Sequence, residues 1–319
     1  EELYTVVEHL QGISLDKTDL DTKGVAFEHF MEDFFKGKSG QFFTPRNIVS
    51  FAVKMMNIKN DDLVLDPACG SGGFLLHTLD EVRHQAAEYY PDEEKEQWRY
   101  WHDFAQNNLY GIEINDSIAR VAKMNMIIHD DGHTNVIGHD ALNDIEKMSA
   151  KNPGFARNRF DFIVTNPPFG ATVKRSEHPY LDKFVLAQNG KKIRNNQKTE
   201  ILFIERCIDF LKLETGKMAI VLPDGILTNS GMQYVRDFLM ERCQILAVVS
   251  LPVFAFVHFG ATVKSSLVFV RRKGMKEKLG RYKIFMAIAD HIGYDATNRK
   301  DPENNLDEIL KKYLDFKHD

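Results

Sequence analysis

Cysteine is scarce in this chain of 319 residues: Cys69, Cys207 and Cys243 are the only three. None stands at CxxC spacing from another, which argues against a disulfide framework or a cysteine zinc site and fits a reducing, cytoplasmic compartment. Apolar runs of membrane-spanning length are absent, and the opening EELYTVVEHLQGI has neither the basic start nor the apolar centre of a signal peptide, so a soluble protein with no membrane partner is expected. Positive charge is in short supply, with 41 Lys and Arg against 46 Asp and Glu. The formal net charge of -5 repels a polyphosphate at long range, so nucleic-acid binding would need a local basic patch or a partner that supplies charge. His129, His133, His178 and His258 show no ligand spacing and no Cys follows a Pro, so neither a metal nor a thiol nucleophile is expected. The chain contains no internal repeat and no low-complexity tract.

What is present suits a large core: 43% of the residues are apolar. Residue 1 is Glu, and Leu3, Val6, Val7 and Leu10 already keep helical spacing, so the sequence is expected to start inside a longer protein. A second amphipathic stretch, VAFEHFMEDFF, places Phe27, Phe30, Met31 and Phe34 on one face. From Asp62 short apolar runs alternate with helical patterns. The strand candidates are 63–66, 108–113, 135–138, 160–165, 217–223, 245–251 and 265–272, with helices expected after Gly73, Asp116, Thr199 and Ser230. Continuously apolar strands separated by helices need cover on both faces, which predicts a doubly wound, mainly parallel α/β sheet of seven strands, Rossmann-like in kind.

Two stretches interrupt the alternation. Residues 84–108, rich in Glu, Tyr and Trp, are expected as a helical insertion; residues 170–198 are expected as a long polar loop. Within 174–198 seven cations (Lys174, Arg175, Lys183, Lys191, Lys192, Arg194, Lys198) face only Glu177 and Asp182. Near the end, YKIFMAIA is strand-like, and a last helix is expected with Asp301 as its cap and Pro302 in its first turn.

VLDPACGSGGFLL is a strand, a glycine-rich turn and a helix start. Gly70, Gly72 and Gly73 allow positive φ and close approach of a ligand, at the end of the first strand where a nucleotide-like molecule sits in such sheets. The dinucleotide pattern GxGxxG fails, because Leu75 stands where its last Gly should be, so pyrophosphate is disfavoured. Carboxylates take its place: Asp66 ends the first strand, Glu113 the second, and Asp140 follows the third. An acid at the end of the second strand can accept hydrogen bonds from both ribose hydroxyls, and acidic surroundings suit a cationic ligand. S-adenosylmethionine, a nucleoside with a sulfonium and no phosphate, fits that description.

The fourth strand then leaves the sheet through Asn166-Pro167-Pro168-Phe169. Asn166 offers a side-chain carbonyl, and the Pro167 carbonyl stays outside a ladder because Pro168 has no N–H. Two stiff acceptors can receive both hydrogens of a planar exocyclic amine and aim its lone pair at a methyl carbon, which is catalysis by positioning and electrostatics. Phe169 supplies a face on which an extruded base can stack.

The ordered set GQFFTPR (40–46), DPACGSGGF (66–74), GIEI (111–114), GHDAL (138–142), NPPF (166–169), GKMAIVLPDGIL (216–227) and GATVKSSLVFVRR (260–272) resembles the modification (M) subunits of type I restriction-modification systems, adenine-N6 DNA methyltransferases, from roughly residue 24 to 295. The resemblance implies that Gln41, Phe42, Phe43, Thr44, Pro45 and Arg46 close over S-adenosylmethionine, with Asp66, Ala68, Gly70, Ser71, Gly72 and Gly73 around and beneath it. It implies Glu113 and Ile114 at the ribose, Asp140, Ala141 and Leu142 around the adenine moiety, and Asn166, Pro167, Pro168 and Phe169 as the catalytic set. It also implies double-stranded DNA as substrate, and a specificity (S) and a restriction (R) subunit as partners, around a core of two modification chains and one specificity chain. The corresponding division is a helical remnant over 1–38, a methyltransferase domain over 39–275 and a C-terminal extension over 276–319. Two other readings stay open: methylation of an RNA base or a protein glutamine, and a non-catalytic assembly subunit of the same fold.

Overall fold

A strand that is apolar on both sides cannot rest against solvent, and six of the seven apolar runs are largely buried on both sides, while 245–251 is buried chiefly on one. The computed structural model describes residues 44–129, 135–257, 262–297 and 299–318. Segment 1–38 with its stripe of Phe27 to Phe34, together with Gln41, Phe42, Phe43, His133 and His258, lies outside the described residues. In chain order, helix α1 (Arg46–Met56) precedes β1 (Val64–Asp66), α2 (Gly73–Tyr89), α3 (Glu94–Asn107), β2 (Leu109–Glu113), α4 (Asp116–Ile128) and β3 (Val136–Gly138). Then follow α5 (Ile145–Lys151), β4 (Phe162–Thr165) and four short strands, β5 (Thr172–Lys174), β6 (Gln188–Asn189), β7 (Lys192–Ile193) and β8 (Asn196–Lys198). The second half has α6 (Thr199–Phe210), β9 (Lys217–Pro223), α7 (Asp224–Thr228), α8 (Gln233–Arg242), β10 (Cys243–Ser250) and β11 (Ser265–Arg272), then β12 (Phe285–Ile288), β13 (Ile292–Tyr294), β14 (Lys300–Asn304) and α9 (Leu306–His318).

Among the described residues the central sheet has eight strands in the order β12-β10-β11-β9-β4-β1-β2-β3. All seven expected strands are there. The eighth is β12, from the strand-like piece after residue 275, which pairs in parallel with β10 and so joins the segment from 276 onward to the sheet. Pairing is parallel from β3 to β9, and β11 runs antiparallel to both β9 and β10. One core layer gathers Ile48, Phe51 and Val53 of α1, Leu75 and Leu79 of α2, and Leu306, Ile309 and Tyr313 of α9. The opposite layer holds Ile201, Ile204 and Ile208 of α6, Val235 and Leu239 of α8, and Leu181 and Leu186 from the 170–198 stretch. The three cysteines are buried thiols.

The chain lays down β1, β2 and β3 in one direction and then places β4 on the other side of β1. That reversal opens a crevice at the carboxyl ends of β1 and β4, the place where ligands bind in open α/β sheets.

Besides the eighth strand, two expectations change. Residues 170–198 are not a plain loop: β5 pairs with β8, and β6 with β7 around Gly190 at φ 62°. Ladders of two or three residues are too short to leave a period-2 pattern, which is why they escape a reading by periodicity. The last helix begins later than Asp301 and Pro302, which sit in β14; Asn304 Oδ1 accepts from Leu306 N at 3.1 Å at its start. Leu306, Ile309 and Tyr313 face the core, and their burial sets where the helix begins. Pro302, which has no N–H to give a ladder, is tolerated in the two-stranded β13–β14 hairpin.

Candidate active site

The turn after β1 explains its own glycines. Gly70 (φ 53°) and Gly72 (φ 91°) adopt the left-handed backbone that side chains resist. A side chain at Gly70 or Gly73 would meet nothing within 4 Å among the described residues, which leave that face of the turn open. Beneath it, Asp66 is only 1% exposed. Its Oδ1 accepts from Ala68 N at 3.0 Å and from Thr165 Oγ1 at 2.7 Å, which ties β1 to β4 under the crevice. Burial pushes the Asp66 carboxyl up to about 7, against the lowering effect of those hydrogen bonds.

Glu113 joins the two neighbouring strand ends. Its Oε2 accepts from Gly70 N at 3.1 Å and its Oε1 from Asn115 N at 2.9 Å. Burial raises its carboxyl above the usual range, against the lowering effect of backbone hydrogen bonds from Asn115, Gly70 and Ile114. Those donors leave part of its lone-pair capacity for a hydroxyl donor. Asn115 then caps α4 by accepting from Ser117 N and Ile118 N, so one short stretch ends a strand, presents an acid and starts a helix. Ile114, between them, is 67% exposed, an aliphatic face laid open at the strand end. Beyond β3, His139 N donates to Glu113 O at 2.9 Å, which sets the Asp140 turn beside Glu113. Ala141 and Leu142 are buried, while Asp140 is half-buried.

The catalytic candidates stand across the crevice. Sheet pairing of β4 stops at Thr165, opposite Ile220, and the chain leaves through Asn166, half-buried, and Pro167, buried. Asn166 Nδ2 donates to Thr44 Oγ1 at 2.9 Å. Its Oδ1 is buried and has no hydrogen-bond partner among the described residues. A buried acceptor left unmet costs about 1–3 kcal/mol, and a donor arriving from a ligand removes that cost. Phe169 packs its half-buried ring against the core, and Gly170 (φ 77°) donates its N–H to Glu200 Oε2 at 3.2 Å. Asn166 to Phe169 are thus held in front by Thr44 and behind by Glu200. Pro45 precedes α1, its carbonyl accepting from Ile48 N at 2.9 Å, and half-buried Arg46 is the first residue of that helix.

Three partners of the candidate site carried no signal of their own in the sequence. Thr165 is hidden in an apolar strand, Glu200 reads as a surface residue of an amphipathic helix, and Tyr180 lies in the polar stretch. Tyr180 Oη donates to Asp140 Oδ2 at 2.7 Å. The positive charge of 174–198 is also redistributed. Lys174 pairs with Glu177, Arg175 with Asp182, Lys183 with Asp144 and, at 3.9 Å, Lys198 with Glu200. Arg194 lies over the Tyr234 ring, which leaves Lys191 and Lys192 exposed at the tip of the β6–β7 hairpin. Among the described residues no group of three His, Cys, Asp or Glu side chains could hold a metal ion, and no helix is long and apolar enough to cross a membrane.

A glycine turn, strand-end carboxylates and an Asn-Pro-Pro-Phe exit around one switch point define the class as a Rossmann-like methyltransferase fold. A solved type I restriction-modification methyltransferase subunit from Streptococcus thermophilus shares it, with a TM-score of 0.68 at 22% identity over 97% of this chain and 61% of that one. Residues 18–319 match the N-6 DNA Methylase family, and the chain belongs to that family. It is 29% identical over 256 residues to the methylase subunit of type I restriction enzyme EcoEI of Escherichia coli, covering 80% of this chain and 47% of that relative. Identity to the MpnII methylase subunit of Mycoplasma pneumoniae is 27% over 317 residues, 97% of this chain and 54% of that relative. The chain therefore spans about half the length of these two relatives.

Proposed function

We propose that this chain is the catalytic part of a type I modification subunit, an adenine-N6 DNA methyltransferase that uses S-adenosylmethionine. The observation that carries the reading is the Asn166 Oδ1, buried, without a partner among the described residues, and held in place through Thr44 at the edge of the switch-point crevice. Glu113, with lone-pair capacity left beyond its backbone donors, would hold the ribose, Ile114 and the Asp140 turn the base, and the face of Gly70 to Gly73 the remainder of the cofactor. Bound there, S-adenosylmethionine supplies an electrophilic methyl group on a cationic sulfur. Asn166 Oδ1 and the Pro167 carbonyl accept the two hydrogens of the adenine amine, which draws its lone pair out of conjugation and fixes its direction. Phe169 stacks the extruded base. The methylated amine sheds its surplus proton to solvent, because no acid or base among these residues is placed to take it.

An acidic chain needs help on DNA, and the two exposed lysines of the β6–β7 hairpin are a small patch. The charge balance calls for a partner on DNA and the relatives are named as subunits of type I restriction enzymes, so the partners proposed are a specificity and a restriction subunit, in an assembly of two such chains per specificity subunit. Incubating the assembled protein with labelled cofactor and unmethylated duplex DNA, RNA or protein tests the reading. Label is expected in N6-methyladenine of the duplex; label in RNA or protein alone, or in none, contradicts it.

A further inference from the structure

We infer that Tyr180 is a positioning residue that, through Asp140, sets how the pocket reads the base of its nucleoside cofactor. The inference rests on the function proposed above and concerns the side of the site farthest from Asn166. In the sheet β1, β2 and β3 are neighbours, so a nucleoside whose ribose sits at Glu113, and whose sulfur points to the β1–β4 crevice, directs its base toward the end of β3. Asp140 is there, two residues beyond Gly138, which pairs with Glu113.

A lone carboxylate on a turn can rotate, and a rotating acceptor discriminates poorly. Asp140 is fixed on both oxygens: Oδ1 accepts from Leu142 N at 2.9 Å, and Oδ2 accepts from Tyr180 Oη at 2.7 Å. Two of the four lone-pair positions are used, and the plane of the group is set. The hydroxyl donates to Asp140 Oδ2 and so leaves the carboxylate's remaining lone pairs turned outward to meet an N–H. Burial first, and then the bond to Asp140, push the Tyr180 hydroxyl well above its usual value, so it keeps its proton. The same short helical turn, Pro179–Lys183, sends Lys183 Nζ to Asp144 Oδ1 at 2.6 Å, and Arg206 Nη2 of α6 reaches Leu142 O at 2.9 Å. Three contacts thus pin the 140–144 turn from the segment and helix that follow the catalytic motif.

A carboxylate fixed as an acceptor favours a 6-amino purine, which donates N–H, over a 6-oxo purine, which presents a lone pair; sites built to meet an N–H reject analogues that lack it. The test uses calorimetric titration of the full chain, as wild type and Tyr180→Phe, with S-adenosylhomocysteine and its 6-oxo analogue S-inosylhomocysteine. Wild type is expected to prefer the adenosyl ligand by at least about tenfold. Tyr180→Phe is expected to reduce that preference to about threefold or less, chiefly by weakening the adenosyl ligand. A merely structural role weakens both ligands together and keeps the ratio, and that result would overturn the inference, as would a wild type indifferent to the 6-position. Failure of wild type to bind S-adenosylhomocysteine at all would instead sink the proposed function. If thermal melting shows Tyr180→Phe to be unfolded, Tyr180→Leu, which also removes the hydroxyl, is read by the same ratio.

Discussion

The two sides of the crevice are built differently. On the cofactor side each carboxylate has one polar contact within its own turn, Asp66 with Ala68, Glu113 with Asn115 and Asp140 with Leu142, beside a longer one to Thr165, Gly70 and Tyr180 respectively. On the substrate side the polar contacts are long: Asn166 reaches Thr44, 122 residues away, and Gly170 reaches Glu200, 30 away. The first side organises its own backbone and presents charge. The second is a stiff, uncharged exit whose direction is imposed by distant elements. A ligand that is itself cationic needs the former, and a neutral amine whose lone pair must be aimed needs the latter.

The comparison can be broken most severely on the cofactor side. Glu113→Gln keeps the size but turns an amide N–H2 toward the N–H of Gly70 or Asn115 and removes charge-assisted acceptance, worth about 1.5–3 kcal/mol. S-adenosylmethionine affinity should fall by about ten- to hundredfold in a calorimetric titration; an unchanged Kd would show that Glu113 serves only the turn. On the substrate side, Phe169→Ala should cost about 1–3 kcal/mol of base stacking, read as loss of methylation with cofactor affinity nearly unchanged. Equal losses in both measurements would erase the distinction between the two sides.

A third prediction concerns the brace that joins them. The Asp66 carboxyl stands at about 7 in the folded protein against an ordinary value of 3.8. The folded state therefore holds this proton more tightly than the unfolded one, and the stability tied to it is full below about pH 4 and lost as pH rises through about 7. Asp66→Asn keeps an acceptor for Ala68 N and Thr165 Oγ1 and should flatten the decline of stability between about pH 4 and 7 in denaturant titrations. A variant with the wild-type pH profile would remove Asp66 as its source. The smallest effect is expected at Thr44→Val, which deletes the bond to Asn166 Nδ2, a loss of about 0.5–1.5 kcal/mol. Methyl transfer should slow several-fold with little change in cofactor Kd; a wild-type rate would mean that Asn166 is oriented by its prolines alone.

The same contrast decided what could be read from the sequence. The order of strands and helices, the glycine turn, Glu113 and the Asn166 exit were legible, because each is a local pattern of periodicity, φ-permissive residues or strand-end acids. Thr165, Glu200 and Tyr180 were not, since each matters through a partner that only the fold brings near. The paired ladders of 170–198 were hidden by their shortness. The excess of cations there was visible, but not that Asp144 and Glu200, outside the stretch, answer two of them. The eighth strand was visible as a strand-like piece, yet its place in the sheet depends on β10, a strand well upstream in the chain.

The central claim is that Asn166 Oδ1 acts on the amine rather than on the cofactor. Asn166→Ala, assembled with its partners and assayed for labelled methyl in duplex adenine beside calorimetric binding of S-adenosylmethionine, tests it most directly. The account predicts methylation reduced at least about a hundredfold, the scale of losing one preorganised polar group, with the cofactor Kd kept within about tenfold. Methyl transfer at the wild-type rate, or cofactor affinity lost in step with it, would contradict the account.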